Sequence, residues 1–422
     1  MMGGFRSIAQ KEGKKTILFL ISLFAQAMLC AVLLAAPAAQ AAETAVTSVR
    51  LGNHGVTTRF VIELAAPVKH SSFTLDDPYR VVIDLPDVDF NVPPTLGEEG
   101  RGIVQGFRFG HFQANQSRIV IDAAVPVTIE REFVLEPQSG FGYRIVFDLK
   151  EVSREAFLKG RDSTPAQASV PVPSQPPVKE PRKLDDSKRI IVVDAGHGGV
   201  DPGTHGSTGI QEKAVVLTFA KELRRQLAAS GRYEVHLTRE TDKFIPLRER
   251  VAIARRHRAD LFISIHADAI GKTSVRGMSI YTLSETASDA EAAALARKEN
   301  RSDVIAGVDL YGEAGEVTDI LIDLAQRETK NFSVNFARKV VDHAGQVTIT
   351  LERPHRFAGF RVLKAPDVPS VLVELGFLTN RSDEKNLTSS AWREKVAGSL
   401  VRAVDSYFGD RYAEGVYASP AR

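Results

Sequence analysis

Short apolar runs that stop on a histidine or a glutamate constrain this chain more than any other feature. IIVVDAG (190–196) leads into His197, LFISI (261–265) into His266 and VLV (371–373) into Glu374. Runs of this length, rich in β-branched residues, read as buried strands. Between them the apolar spacing changes to that of a helix. Glu212 opens one over 212–229, with Val216, Phe219, Leu223 and Leu227 on one face and Ser230-Gly231 at its end. Further strands are expected at 189–194, 234–238, 260–266, 277–283, 359–363 and 370–374, with helices at 246–257 and 391–408. The last helix turns Trp392, Val396, Leu400 and Val404 inward. Such alternation implies an α/β domain: a mixed, largely parallel sheet with helices on both faces. Ligands of these sheets bind beyond the carboxyl ends of the strands, where His197, His266 and Glu374 fall.

Two imidazoles and a carboxylate form a known ligand set for catalytic zinc, which leaves one position open for water. A further carboxylate beside them is what such a site needs to move protons. Wide separation in sequence suits a catalytic site assembled by a fold better than the tight, cysteine-rich spacing of structural zinc. Asp194 and Asp268 lie next to candidate ligands and are candidates to orient an imidazole. Each residue alone has a plainer explanation. Glu212 complements a helix dipole, Glu374 makes a salt bridge, and a loop histidine is polar filler. Four such residues at strand ends or a helix start are harder to explain as packing. His205 is a spare ligand, more readily read as shaping its glycine-rich loop. A phosphate cradle at GHGGVDPGTHG (196–206) is disfavoured because no G-K-[ST] follows.

Upstream, residues 43–150 carry an internal repeat. TRFVIELAAPV (58–68) matches SRIVIDAAVPV (117–127), YRVVIDL (79–85) matches YRIVFDL (143–149), and VRLGN (49–53) resembles FRFGH (107–111). Period-two alternation makes these strands, and two similar units suggest an all-β sandwich with pseudo-twofold symmetry. Arg80 and Arg144 sit at equivalent positions and are expected to pair with nearby carboxylates. Residues 151–188 turn rich in Pro, Ser and Ala, an extended linker that lets the folded parts move independently. Residues 411–422 form a tail.

The N-terminus reads as an export signal over 1–41. Arg6, Lys11, Lys14 and Lys15 precede an apolar run from Ile17 to Ala36, and Ala39-Gln40-Ala41 offers a cleavage site. An uncleaved membrane anchor is the alternative. The one cysteine, Cys30, falls inside this segment, so once the segment is removed the mature protein is expected to have neither disulfides nor a cysteine nucleophile. A net charge of +2 gives no bulk attraction to nucleic acid. Nothing demands more than a monomer.

VVDAGHGGVDPGTHG (192–206), Glu212, LTRETDKFIPLRERVAIA (237–254), SIHADA (264–269) and VPSVLVELGFLTN (368–380) together resemble the zinc-dependent N-acetylmuramoyl-L-alanine amidases of the amidase type 3 family, over about 189–410. Residues 42–150 resemble an AMIN domain, a wall-targeting module of periplasmic amidases. The resemblance implies peptidoglycan as substrate, cleaved between N-acetylmuramic acid and L-alanine during septal splitting. It implies zinc on His197, Glu212 and His266, Glu374 as catalytic acid/base, and a periplasmic location with a LytM-type activator. Asp268 departs from the asparagine common after the SIH motif. The family's autoinhibitory helix corresponds to the charged insertion 285–345, where ASDAEAAALARKEN (287–300) is a good helix former. Glu299 is the candidate plug, with Glu313 and Glu316 as rivals. The alternatives are another exported zinc peptidase acting on stem peptides, or a non-catalytic wall-binding protein.

Overall fold

The computed structural model describes residues 44–113, 115–162, 188–269, 272–309 and 320–413. The expected export signal, most of the extended linker, most of the tail, and Glu313 and Glu316 lie outside the described residues.

The N-terminal strands are β1 (Ala45–His54), β2 (Thr57–Leu64), β3 (Ser71–Leu75), β4 (Arg80–Pro86), β5 (Asp89–Phe90), β6 (Val104–Gln113), β7 (Gln116–Ala123), β8 (Val127–Leu135) and β9 (Tyr143–Glu151). They form a five-stranded sheet, β5-β1-β2-β9-β8, and a four-stranded sheet, β3-β4-β7-β6. The inward residues of each, such as Phe60, Ile62, Phe147, Ile83, Ile119 and Ile121, make one core between them. The repeat explains the pairing. Strand β2 of the first copy pairs with β9 of the second, and β4 of the first with β7 of the second. Val61 thus faces Val146 in one sheet as Val120 faces Val82 in the other.

The charges repeat as well. Arg59 grips Asp148 with two hydrogen bonds of 2.7 and 2.8 Å, and its counterpart Arg118 grips Asp84 at 2.6 and 2.8 Å. Arg50 pairs with Glu63 as Arg108 pairs with Asp122. Arg80 and Arg144 depart from the expected ion pairs. Arg80 gives its hydrogen bonds to the carbonyls of Asp76, Pro78 and Val304, and Arg144 lies over the Phe141 ring. The chain does not become extended at residue 151 either. Helix α1 (Arg154–Asp162) follows, with Phe157 buried edge-on against Tyr79.

The second sheet has the order β11-β10-β12-β15-β13-β14, from β10 (Arg189–Ala195), β11 (Tyr233–Leu237), β12 (Leu261–His266), β13 (Met278–Leu283), β14 (Thr350–Ala358) and β15 (Ser370–Glu374). All its pairings are parallel except β13 with β15, the mixed, largely parallel sheet expected. One face carries α2 (Glu212–Ala229) together with α6 (Ile320–Ala344) and α8 (Ser390–Ala413) over a core that includes Phe219, Leu223, Phe336, Val396, Leu400 and Val404. The other carries α3 (Leu247–Arg256), α4 (Ala290–Glu299) and the loop around Phe360. Short helices α5 (Ser302–Ile305) and α7 (Arg381–Thr388) complete the set.

The strand expected at 359–363 is instead a 3-10 turn, Arg361–Leu363, and the strand lies just before it at Thr350–Ala358. That strand holds the sheet edge beside β13, where Pro354 and charged side chains are tolerated because one side of the ladder is open.

Candidate active site

Three strands deliver the key residues to one end of the sheet. β10 ends at Ala195 and the chain turns at once through Gly196. A Cβ there would lie 2.4 Å from the His266 ring, so the close passage of loop over imidazole requires glycine. His197 itself sits at φ 57°, in the left-handed region that costs a non-glycine residue of the order of 1 kcal/mol or more. The surroundings hold it there. Asp201 accepts from Nδ1 at 2.9 Å, and Arg250 Nη2 donates to the His197 carbonyl at 2.7 Å. His266 closes β12 and stands opposite Glu374 on β15 in strict register. Glu212 arrives on the first turn of α2.

The distances converge. Glu212 Oε1 lies 3.1 Å from His197 Nε2 and 3.3 Å from His266 Nδ1. Glu299 Oε2, from the last residue of α4, lies 3.4 and 3.2 Å from the same two nitrogens. His197, His266 and Glu299 form a metal-competent cluster of buried donors, and Glu212 shares its spacing. Yet His197 Nε2 and His266 Nδ1 have no aligned hydrogen-bond partner, nor have Glu299 Oε1 and Glu374 Oε1. These four are most of the six buried side-chain polar atoms left without one among the described residues, and buried polar groups are otherwise almost always satisfied. Donor atoms that approach each other without aligning are converging on a common point. Zinc bonds of ~2.0–2.1 Å in a tetrahedron put neighbouring ligand atoms ~3.3–3.4 Å apart, so the donor set fits that ion.

The two carboxylates at the imidazoles are held differently. Both oxygens of Glu212 are fixed by main-chain donors, Oε1 by Ala267 N at 2.9 Å and Oε2 by Thr204 N at 3.0 Å. Among the described residues Glu299 receives no such main-chain hydrogen bond, and its position is set by the helix that it ends. Lys298 beside it pairs with Asp268 and donates to Thr204 Oγ1 at 2.7 Å. Helix α4 is further seated by Asn300, which donates to Gly359 O and accepts from Arg361 N, both at 2.8 Å.

Electrostatics follow from this crowding. Burial opposes charge on both imidazoles, but the facing carboxylates outweigh it. His197 is raised well above its ordinary value by Glu212, Asp201 and Glu299, and His266 is pushed up to about 10, mainly by Glu299 and Glu212. Glu374 goes the other way from the carboxylates that face them. Burial, with Asp268 and Glu212 nearby, raises it well above the carboxylate range. One oxygen accepts from Asp268 N at 3.0 Å and the other is free. A carboxyl raised in this way, opposite His266 across the sheet, is suited to carry a proton.

The carboxylate that orients an imidazole is Asp201, four residues after His197, rather than Asp194 or Asp268. Asp194 is spent on Thr238, Ser264 and Arg250, and Asp268 on Lys298 and its neighbour's main chain. Asp201 could have been found from its i+4 spacing to His197 within the loop. Arg239 and Arg250, almost wholly buried, donate to the carbonyls of Ala195, Gly196 and His197 and so fix the loop. His205 bridges to Gln211 and shapes the loop.

A mixed α/β sheet with buried imidazoles and carboxylates gathered beyond its strand ends defines a hydrolytic enzyme. Comparison with known proteins makes the class specific. Residues 191–406 match the family described as N-acetylmuramoyl-L-alanine amidase, and residues 66–136 match the AMIN domain. The chain is similar to the N-acetylmuramoyl-L-alanine amidase AmiC of Escherichia coli, 34% identical over 382 residues that cover 88% of this chain and 91% of that one. AmiC of Neisseria meningitidis is 35% identical over 374 residues, 86% of this chain and 89% of its own. AmiA of Escherichia coli is 41% identical over 231 residues, 54% of this chain and 80% of its own. The chain belongs to the N-acetylmuramoyl-L-alanine amidase family, with an AMIN domain in its β-rich half. That membership decides against the peptidase and the non-catalytic wall binder.

Proposed function

We propose that this enzyme is zinc-dependent and exported to the periplasm, where it cleaves the amide between N-acetylmuramic acid and the L-alanine of peptidoglycan stem peptides to split septal wall. His197 Nε2, His266 Nδ1 and Glu212 Oε1 would hold the ion, which when bound acidifies a water and polarises the scissile carbonyl. Asp201 fixes the His197 tautomer that leaves Nε2 free to bind. Glu374, raised by burial and adjacent to His266 across the sheet, takes a proton at its free oxygen and returns it to the leaving nitrogen. Glu299 closes the site at rest, where its oxygen blocks approach to the imidazole pair. Its release is the task of a LytM-type activator.

The observation that carries this reading is the convergence of four donor atoms at 3.1–3.4 Å, two of them imidazole nitrogens without hydrogen bonds. The test uses purified sacculi. Free stem peptides beginning with L-alanine should appear, stop with EDTA and return with zinc. Release of D-alanine, or hydrolysis indifferent to chelation, rejects it. Glu299→Ala should raise hydrolysis without an activator.

A further inference from the structure

The described residues from Ala45 onward form one compact unit, so the two halves are not the independent bodies the linker suggests. Their contact is specific. The outer face of the four-stranded sheet lies on residues 304–308, just after the helix that carries Glu299. Arg80 Nη1 donates to Val304 O, Arg108 Nε to Ile305 O, and Arg118 Nη1 to Gly307 O at 2.8 Å and Ala306 O at 3.3 Å. Val304 and Ile305 are the last two residues of α5 and Ala306 and Gly307 follow directly, so the three guanidinium groups cover the carbonyls at and just past the helix end. Val82, Val120 and Phe112 pack with Ala306, Val308, Val200 and Phe244 in a separate apolar cluster. Gly307, at φ 66°, lets the sheet approach so closely that a Cβ would lie 3.0 Å from the methyls of Val82 and Val120.

The same segment is tied to the active site from its other side. Ser302 donates to Asp201, the carboxylate that holds His197. Asp303 accepts from Leu247 N at 2.9 Å. Residues 302–308 are therefore held between the β sheet and the imidazole support, and Glu299 is three residues from their start.

The repeat shows that these contacts are additions to the β fold. Arg50, Arg59 and Arg144 are the counterparts of Arg108, Arg118 and Arg80. In the five-stranded sheet they meet their own carboxylates or lie over Phe133 and Phe141. Among the described residues, no helix end receives a hydrogen bond from those three.

We propose that the four-stranded sheet is a clamp on residues 302–308 that keeps Glu299 seated on the imidazole pair, so that loosening of this contact opens the site. By linkage, a ligand that competes for the sheet's outer face favours the open site, and opening favours that ligand. The proposal rests on the reading of Glu299 as a plug.

The repeat also supplies its control. Arg118→Gln and Arg59→Gln each remove one bidentate arginine–aspartate pair from equivalent strands, but only the first touches the clamp. Val308→Ser attacks the contact from the segment's side. The zinc-loaded full chain is measured for hydrolysis of sacculi without activator and for amide hydrogen exchange over 299–308. Arg118→Gln and Val308→Ser should speed exchange there about tenfold or more and raise basal hydrolysis several-fold toward that of Glu299→Ala. Arg59→Gln should change neither. If Arg118→Gln and Val308→Ser both behave like Arg59→Gln while Glu299→Ala is activated, the clamp is wrong and the plug survives. If Glu299→Ala itself stays at the basal rate, the plug is wrong and the clamp falls with it.

Discussion

In the β half the buried or half-buried guanidinium groups Arg59 and Arg118 meet Asp148 and Asp84 in the same two-pronged geometry, once per repeat. In the catalytic half, two imidazoles and three carboxylates are sunk together, and four of their atoms have no hydrogen-bond partner. The first arrangement satisfies its charges and serves the fold. The second gathers polar groups that packing alone would not collect, since an unmade buried hydrogen bond costs ~1–3 kcal/mol. The contrast separates charge that holds the molecule together from charge kept for a ligand. It predicts that mutations in the two halves will fail in different assays.

The largest effect should come from His197→Ala. Activity should fall by ~10⁴-fold or more and zinc content with it, because the proposed ion loses one of its ligands. The metal-free thermal midpoint should fall, since Asp201, Glu212 and Glu299 are left buried without the imidazole that faces them. Activity within tenfold of wild type would erase the contrast. Glu374→Gln comes next. Zinc should stay bound while kcat falls ~10²–10⁴-fold, the usual worth of a positioned proton carrier. Metal loss in that variant would recast Glu374 as a ligand.

Arg250→Met blurs the boundary usefully, because Arg250 is a satisfied charge within the catalytic half. Its loss leaves the buried Asp194 charge unpaired and takes a donor from the carbonyls of Ala195, His197 and Ile245, and should cost ~3 kcal/mol or more in urea unfolding. Asp148→Asn should be mildest, ~1–2 kcal/mol at neutral pH with hydrolysis per folded molecule unchanged. Its pH dependence has a definite sign. The hydrogen bond from Arg59 holds Asp148 below the usual carboxylate range. The stabilisation is therefore complete above the unfolded value of ~3.9 and fades as pH falls through the lower folded one. Urea midpoints of wild type and variant should converge in that acid window. A gap that persists there assigns the effect to shape instead of charge.

Much of this was legible in the sequence because strands and their last residues are local features. The alternation from Arg189 gave the mixed sheet, and the positions of His197, His266 and Glu374 at strand ends follow from period and length alone. The twofold repeat was visible in TRFVIEL and SRIVIDA. What escaped depends on partners far apart in the chain. Strand Thr350–Ala358 was hidden by Pro354 and its charges, which only an edge position permits. Arg250 sits in a helix rich in charge, and nothing local marks it as buried and pointed at the His197 carbonyl. The arginines of the four-stranded sheet look the same as their counterparts in the other sheet. Only the docked segment tells the two sets apart.

The sheet order carries one more consequence. Strand β15 lies between β12 and β13, although more than 80 residues of chain separate it from either. A polypeptide emerging from its N-terminus has a vacant lane in the middle of the sheet until residues 370–374 arrive. Glu374 takes its place beside His266 only at that insertion. Partly synthesised or truncated chains should therefore be harmless to the wall, with hydrolytic competence acquired in one late step of maturation.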